Sequence, residues 1–539
     1  MAKTGFFLLA FAALAAAQNP DFSAERLRAH VKFLASDLME GRGIDSRGGR
    51  LATEYLATAF AIAGARPAGD NGTYFQKVPL VGVETQPDST QFTIAGKGKS
   101  LTLKWYSEYV GCDAKQKPSE QIDAEAVFVG HGIVAPEFKW DDFKGVDVRG
   151  KMLVLFTNEP DSNDPKFFGG RALTYYGRWT YKYEEAARHG AAGVIILHTT
   201  PTAGYGWDVV SSSWGREQSF NKLEPNQPAL AFEGWVSSEA GAKLLAMSGH
   251  TMDELLKAAN SRDFKPIPLG LRVRMKLVSK VRDQDTRNVV AVVPGSDPRL
   301  KNEAVVYTAH WDHFGIGKPV NGDSIYNGAV DNATGCGAIV ELARAFASLP
   351  QKPRRSIVFV AVTAEEAGLL GSAYYAAHPF IPDGKTALDL NFDALRPYGR
   401  TKDVEVSGAE RTTFWPQVEQ IAKRYNLTIS PDPHPEQGSY YRSDHFSMAK
   451  AGVPSFTVDM GNDYIGKPAG FGDKMFAEFN AKHYHQPSDE YHDDWDFSGM
   501  VQMMQFGFTL GLEAANLDKL PTWRAGDEFL AARQKSGVK

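Results

Sequence analysis

The 539-residue sequence contains only two cysteines, Cys112 and Cys336, which lie far apart in dissimilar contexts. A fold built on a disulfide framework is therefore excluded, although a single bond between these two residues stays open. Two cysteines at this spacing also make no zinc–thiolate site. Any metal site in this chain must therefore use histidine and carboxylate ligands.

Clusters of basic residues are also lacking. The chain has 59 Lys and Arg against 64 Asp and Glu, a formal net charge of −5, and no run of five or more basic residues. This balance argues against a general nucleic-acid-binding protein. Hydrophobic residues make up 43% and charged residues 23%, which is typical of a soluble globular protein, and the length suggests about two to four domains.

Long apolar runs are absent beyond the first residues. Lys3 precedes a short apolar core that begins at Phe6, and the alanines at 15–17 offer a cleavage site before Gln18. This pattern predicts a signal peptide over residues 1–17 and a secreted or periplasmic protein. Because the core is short for a membrane span, we expect no span after signal removal. A retained anchor helix is the alternative.

What the sequence does contain is an alternation of strands and helices. Its second half repeats strand, loop and helix, which predicts an α/β fold, a sheet with helices on its faces. The alternating apolar residues of 269–281 match those of the strands near 91–105. We therefore interpret residues 107–268 as an insertion, and residues 18–106 and 269–539 as one discontinuous domain.

Three apolar strands in the second half end in polar residues that suit metals. The first ends at His310, with Asp312 two residues later. The second ends at the pair Glu365-Glu366, and the third ends at Asp393. Strand ends are where open α/β sheets place their ligands. Since imidazole and carboxylate both suit zinc, we expect these residues to converge on one edge of the sheet.

Two further residues complete the set. Asp331 begins a predicted helix, where it is either a cap or a ligand. His485 lies in a late loop, close enough to Asp489 for that carboxylate to orient its ring. Two histidines and three or four carboxylates suit a pair of zinc ions bridged by a carboxylate. Sites for Mg²⁺ or Ca²⁺ prefer oxygen ligands and would not favour two imidazoles.

The ordered motifs resemble those of the co-catalytic zinc aminopeptidases, a family that also includes glutamate carboxypeptidase-type and glutaminyl cyclase-like relatives. The motifs are His310-x-Asp312, Asp331-Asn332, Glu365-Glu366, Asp393 and Tyr484-His485-x-Pro487-x-Asp489. The resemblance covers roughly residues 280–515. Residues 107–268 resemble a protease-associated domain, on the stretches 147–151 and 186–193. The implied fold is α/β, with a mixed central sheet flanked by helices and a smaller inserted β-rich α/β domain.

The resemblance also implies a role for each candidate ligand. One zinc ion would be held by His310 and Asp393. The second would be held by Glu366 and His485, and Asp331 would bridge the two ions. The implied cofactor is therefore a pair of Zn²⁺ ions.

Other residues receive supporting or catalytic roles from the same resemblance. Glu365 would be the general base, and Asp312 would lie behind His310. The family often has a cis peptide bond after the bridging aspartate, which here is Asp331–Asn332.

The segment Ser443-Asp444-His445 resembles a further family segment. In some members a tyrosine three residues before the serine stabilises the oxyanion, which points to Tyr440 as a catalytic residue. Tyr441 is the nearby rival, and the alternative is that both tyrosines only line the wall of the site. Histidines expected to support the ligands or to lie on the surface are His313, His445 and His483. Those of the inserted domain, expected to be structural, are His131, His189 and His198.

We therefore expect a secreted exopeptidase with two Zn²⁺ ions, an aminopeptidase that hydrolyses peptides with Glu365 as general base. A carboxypeptidase or dipeptidase and a glutaminyl cyclase-like enzyme are the alternatives. Arg442 is one candidate for binding a substrate carboxylate, but it belongs to no arginine cluster. A non-catalytic receptor-like protein would have lost ligands that are all present. The preferred substrate residue and the oligomeric state do not follow from these motifs.

Overall fold

The computed structural model of the chain describes residues 20–203 and 205–538. The predicted signal peptide, residues 1–17, lies outside this part of the chain. Within it, every helix is too short or too polar to cross a bilayer.

The chain folds into two compact units. Of the described residues, the first unit comprises those up to Val78, those of Asp285–Asp432 and those from Arg442 onward, and the second comprises those of Pro79–Gln284 and Pro433–Tyr441. The interpretation of residues 107–268 as a protease-associated domain stays a prediction.

The first unit is built on a mixed sheet. From one edge to the other its strands are Ser455–Thr457, Thr386–Asn391, Ala304–His310, Ser356–Val362, the last residues of Ile267–Val293, and Arg66–Pro67. The first four are parallel, and the last two pair antiparallel. The three central parallel strands are buried along their whole length, which explains their nearly continuous apolar sequence. This mixed sheet confirms the predicted fold class.

Helices flank the sheet of the first unit. They are Ala24–Leu34, Arg47–Ile62, Thr334–Ser348, Leu370–Ala377, Trp415–Arg424, His445–Lys450, Phe471–Lys482, Ser498–Asn516 and Leu530–Lys535. The first two begin at serine caps, where the hydroxyls of Ser23 and Ser46 accept hydrogen bonds from backbone amides three residues on. The first unit also has a hairpin formed by Gly315–Val320 and Asp323–Tyr326. A separate three-stranded sheet is formed by Asp403–Glu405, Thr428–Ser430 and Asp459–Met460.

The second unit has a separate sheet. Its strands run in the order first part of Ile267–Val293, Ser119–Phe128, Met152–Phe156, Gly193–Leu197, Phe232–Val236 and Tyr109–Cys112. Further strands in this part of the chain are Phe75–Thr85, Gln91–Gly96, Lys99–Thr102, Val134–Ala135, Trp140–Asp141 and Gln218–Asn221. The helices are Trp179–Arg188, Thr200–Ala203, Trp207–Trp214, Ser238–Ser248 and Met252–Ala259. Two clusters of buried apolar residues form the core of this unit.

Two structural details bear on the sequence expectations. The first differs from an expectation, and the second settles an alternative that the sequence left open. The alternating segment at 269–281 does not end there but continues as one strand, Ile267–Val293, because alternate burial continues through the polar residues Gln284 and Thr286. The two cysteines are both buried free thiols, so no disulfide joins them.

Candidate metal centre

The predicted ligands gather where the parallel strands of the first unit end. His310 is the last residue of Ala304–His310 and pairs in register with Val362, the last residue of the neighbouring strand. Glu365 and Glu366 follow Val362 within four residues, and Asp393 follows the third strand, which ends at Asn391. Because carboxyl ends of parallel strands meet at one sheet edge, chain segments far apart in sequence meet here.

Two groups of donor atoms share the carboxylate of Asp331. In the first group, Nε2 of His310 lies 3.0 Å from Oδ1 of Asp331 and 3.2 Å from Oδ1 of Asp393. In the second, Nε2 of His485 lies 3.4 Å from Oδ2 of Asp331 and 3.2 Å from Oε2 of Glu366. Each oxygen of Asp331 therefore faces a different histidine, as a carboxylate that bridges two metal ions must.

The backbone around Asp331 is held from behind by Asp489. The carboxylate of Asp489 accepts hydrogen bonds from the amides of Val330 (2.9 Å) and Asp331 (3.0 Å). The expectation that Asp489 orients the ring of His485 is thus replaced by a contact with the loop of the bridging aspartate. The expected cis peptide bond Asp331–Asn332 is present. Asn332, not Asp331, bonds the helix start, where its Oδ1 accepts from the amide of Gly335 at 2.9 Å.

Asp312 lies behind His310, as expected, but it works mainly through its backbone. Nδ1 of His310 lies 3.1 Å from the carbonyl oxygen of Asp312 and 4.0 Å from its carboxylate. The carboxylate accepts instead from the amide of Glu365 at 3.1 Å. One residue therefore fixes both the first histidine and the backbone of the proposed base.

The serine of the Ser443-Asp444-His445 segment contacts Asp393. Its Oγ donates to Oδ2 of Asp393 at 2.5 Å, and Nδ2 of Asn391 donates to that Oγ at 2.7 Å. This leaves Oδ1 of Asp393 directed at His310. His445 is buried in the helix His445–Lys450, whereas Nδ1 of His483 lies 3.1 Å from both the carbonyl oxygen and the Oγ of Ser488.

His313 belongs to the site more closely than its sequence position indicated. It is buried, and its Nδ1 lies 2.6 Å from Oε1 of Glu366 without hydrogen-bond alignment. Burial lowers the pKa of His313 to about 4. The surface location that the sequence left open is therefore wrong. Its place three residues after His310, in the same strand-end loop, was the signal that could have located it.

Burial and neighbouring charges shift the pKa values of several site residues in opposite directions. Burial lowers the pKa of His310, but the nearby Asp393 and Asp331 outweigh it and raise that pKa well above its ordinary value. Burial raises the pKa of Asp331, yet the hydrogen bonds from His310 and His485 hold it well below normal. Burial also raises the pKa of Glu366 to about 8 and that of Glu365 well above its usual range.

The backbone is locally strained around the same residues. Ala364 precedes Glu365, and Ala394 follows Asp393, and both have φ of 54°, while His485 itself has φ of 58°. Non-glycine residues in the left-handed region cost energy and gather at functional sites.

The donor set fits zinc. Nitrogen and oxygen atoms of His310, Asp331 and Glu366 lie within 4.8 Å of one another. Oε1 of Glu366 and both ring nitrogens of His313 are buried without a hydrogen-bond partner among the described residues. Imidazole with carboxylate is a zinc set rather than a set for Mg²⁺ or Ca²⁺.

The other predicted residues lie in the second unit. Tyr440 and Tyr441 are buried in the turn Ser439–Arg442 and belong to the Pro433–Tyr441 segment of that unit. The catalytic role of Tyr440 stays a prediction. Of the three histidines expected to be structural, His131 and His198 are buried, and His189 stacks on Phe143 at 4.0 Å.

Residues 288–508 match the family model described as "Peptidase family M28". Among curated proteins, "Leupeptin-inactivating enzyme 1" of Streptomyces exfoliatus is 28% identical over 183 residues, 33% of this chain and 36% of that protein. "Probable leucine aminopeptidase 2" of Aspergillus oryzae is 31% identical over 183 residues, 33% and 34% of the two chains. The chain thus spans about a third of the length of these two relatives.

Two further similarities extend over more of the chain. "Carboxypeptidase Q" of Xenopus laevis is 25% identical over 423 residues, 77% of this chain and 75% of that protein. Among solved structures, the aminopeptidase from Aneurinibacillus sp. strain AM-1 is similar with a TM-score of 0.50 and 18% identity, covering 94% of this chain and 96% of that one. This structural similarity supports the fold.

Proposed function

We propose that the protein is a zinc-dependent exopeptidase, an aminopeptidase acting on peptides, on the premise that residues 288–508 match the model of peptidase family M28. The observation that carries the proposal is the shared carboxylate of Asp331, whose two oxygens face His310 and His485 separately. A site for one ion would need only one of these groups.

Two zinc ions would be held by the two donor groups. His310 and Asp393 would hold the first ion, and Glu366 and His485 would hold the second. Asp331 would contribute one oxygen to each. When bound, paired zinc ions lower the pKa of water and polarise the substrate carbonyl.

Glu365 is the proposed general base. A carboxylate here takes a proton from the attacking water and delivers it to the departing amine of the peptide. Its pKa is raised by burial, which suits a group that must both accept and release a proton. The hydrogen bond from its amide to Asp312 holds its backbone in place.

A carboxypeptidase or dipeptidase is the second candidate, because the similarity to Carboxypeptidase Q covers 77% of this chain. A glutaminyl cyclase-like enzyme or a non-catalytic receptor-like protein is the remaining alternative. The test uses one tripeptide in three forms: unmodified, N-acetylated and C-amidated. An aminopeptidase cleaves the unmodified and amidated forms and not the acetylated one, and chelator stops it.

The other outcomes of this assay separate the alternatives. Cleavage of the acetylated form alone among the blocked peptides indicates a carboxypeptidase. Release of an amino acid from none of them, by protein with full zinc content, contradicts the proposed peptidase activity.

We also propose that the protein is secreted or periplasmic, with cleavage before Gln18. Sequencing the amino terminus of the mature protein from culture medium or periplasm tests this location. Residues 107–268 are proposed to restrict the size of substrates as a protease-associated domain. Comparing cleavage of short and long peptides before and after their removal tests that role.

A further inference from the structure

Arg42 is a buried cation that lies behind the metal centre within the first unit. Its side chain is 1% exposed. Nε donates to the carbonyl of Trp311 at 2.8 Å, and Nη2 donates to that of Gly328 at 2.8 Å. Nη1 donates to the carbonyls of Leu34 at 2.7 Å and Asn327 at 2.6 Å. One guanidinium thus binds four carbonyl oxygens.

Three of these carbonyls, those of Trp311, Asn327 and Gly328, belong to the two loops that carry the first histidine and the bridging aspartate. Trp311 stands between His310 and Asp312 in sequence, and Gly328 leads directly into the turn that contains Asp331. A hydrogen bond in the reverse direction also joins Arg42 to these loops, because the amide of His313 donates to the carbonyl of Arg42 at 3.3 Å. We call this set of contacts between residues 34–42 and the two ligand loops the junction.

Neighbouring residues reinforce the same junction. Nδ2 of Asn327 donates to the carbonyl of Ala35 and to Oδ1 of Asp37, both at 2.9 Å. Residues 34–42 therefore support both ligand loops, although they lie outside the 288–508 segment matched by the family model.

The charge of Arg42 is not used in a direct ion pair. Among the described residues, no carboxylate oxygen lies within salt-bridge distance of its guanidinium. Burying a charge is costly unless polar groups compensate for lost water. Here the compensation comes from four carbonyl dipoles, three of which belong to the two ligand loops, so the geometry of those loops and the burial of Arg42 depend on each other.

We infer that Arg42 is a positioning residue of the zinc centre, which sets the spacing of the His310 and Asp331 loops through their carbonyl oxygens. The inference rests on the proposed function, because it presumes that these loops bind zinc. Arg42 touches no reacting atom and acts only through its neighbours. Lysine cannot replace it, because a single ammonium lacks the planar fork that reaches carbonyls on several sides.

Arg533 provides a matched control. It is fully buried in the same unit and donates to the carbonyls of Asp383, Thr386 and Pro521, each at 2.8 Å. None of these carbonyls adjoins a proposed ligand in sequence. Arg533→Lys therefore reproduces the loss of stability that follows from removing a buried guanidinium, and it leaves the ligand loops undisturbed.

The experiment measures zinc affinity of the metal-free full-length protein by competition with a chromophoric chelator, together with the rise in Tm on adding zinc. Arg42→Lys is expected to weaken zinc binding roughly 10–100-fold, the usual effect of losing support behind a metal ligand. Its zinc-induced rise in Tm shrinks accordingly, and excess zinc restores much of its activity. Arg533→Lys lowers the Tm of the metal-free protein and retains wild-type zinc affinity.

Two results would overturn the inference and are distinguishable. If wild type binds zinc and Arg42→Lys binds it equally well, the positioning role is wrong while the proposed function stands. If wild type binds no zinc, both are wrong. Should Arg42→Lys fail to fold, the exposed Asp37→Ala variant loosens the same junction and is expected to weaken zinc binding in the same direction, and unchanged affinity in it contradicts the role.

Discussion

Both units of this protein bury titratable groups, but they satisfy them in different ways. In the second unit, Asp142 accepts from the amide of Ile133 at 2.9 Å and from the indole of Trp140 at 2.8 Å. The buried Lys182 donates to the carbonyls of Asn158 at 2.8 Å and Tyr176 at 2.6 Å. Burial raises the pKa of Asp142 to about 7 and lowers that of Lys182 to about 7.

In the first unit, the buried acceptors face one another. The carboxylates of Asp331, Glu366 and Asp393 surround two imidazoles, and Oε1 of Glu366 lacks a hydrogen bond among the described residues. Shifted pKa values occur in both places and do not separate them. The difference lies in the groups that surround the buried carboxylates. In the second unit these groups are hydrogen-bond donors, whereas in the first unit they are further acceptors. Only the acceptors of the first unit require a cation between them.

The largest effect is expected from removing the shared carboxylate. Asp331→Ala deletes an oxygen from both donor groups, so both zinc ions and all measurable peptidase activity are expected to be lost. Asp142→Asn, in the second unit, is the control and retains zinc content and activity. Metal analysis by mass spectrometry with a peptide assay measures both. If an Asp331→Ala protein keeps its activity, the proposed difference between the two units, a metal centre in the first and none at Asp142 in the second, is contradicted.

A smaller effect is expected from the proposed base. Glu365→Gln keeps the ligands and their spacing, so zinc content stays normal, while kcat falls roughly 10²–10⁴-fold, the size of a general-base contribution. Turnover near that of wild type would show that Glu365 does not transfer the proton.

Support behind a ligand should matter less again. Ser443→Ala removes the hydroxyl that donates to Asp393 at 2.5 Å, and it is expected to lower zinc affinity or activity about 10–100-fold. Ser372→Ala is the matched control, because this buried hydroxyl bonds Ser447 at 2.9 Å and touches no proposed ligand. Equal effects of the two substitutions would mean that Ser443 contributes only packing.

The smallest effect on activity is expected from the second unit, where a change of pH acts on stability. Burial lowers the pKa of His131 to about 4, so the folded protein holds this imidazole in its neutral form. The unfolded chain takes up a proton below about pH 6.5, and stability is therefore complete above that pH and lost as pH falls toward 4. The loss is about 2–3 kcal/mol.

Urea unfolding followed by tryptophan fluorescence between pH 7 and 4 measures this loss. His131→Gln removes the titrating ring, so its unfolding free energy should depend less on pH over this range. An unchanged pH dependence in the variant would show that His131 does not carry the effect.

The sequence predicted the parts of the site that depend on strand ends. His310 ends an apolar strand, and Glu366 and Asp393 lie within four residues of the ends of two others. Parallel pairing brings such positions together whatever the details of the loops. Asp331 and His485 were located by the order of motifs and not by periodicity, since each lies in a loop.

What the sequence did not predict depends on contacts between distant residues. Asp489 was expected beside His485, but a turn directs its carboxylate to the amides of Val330 and Asp331. Arg42 lies about 270 residues from Trp311, whose carbonyl it binds, and no local pattern marks it. Contacts of this kind follow from the tertiary fold, which periodicity and motif spacing do not encode.

The most direct test of the account is a zinc titration of the metal-free wild-type protein with peptidase activity measured at each step. Two donor groups that share Asp331 predict binding of two zinc ions per chain and full activity only when the second has bound. Saturation of binding and activity at one zinc ion per chain, or full activity without metal, would contradict the account.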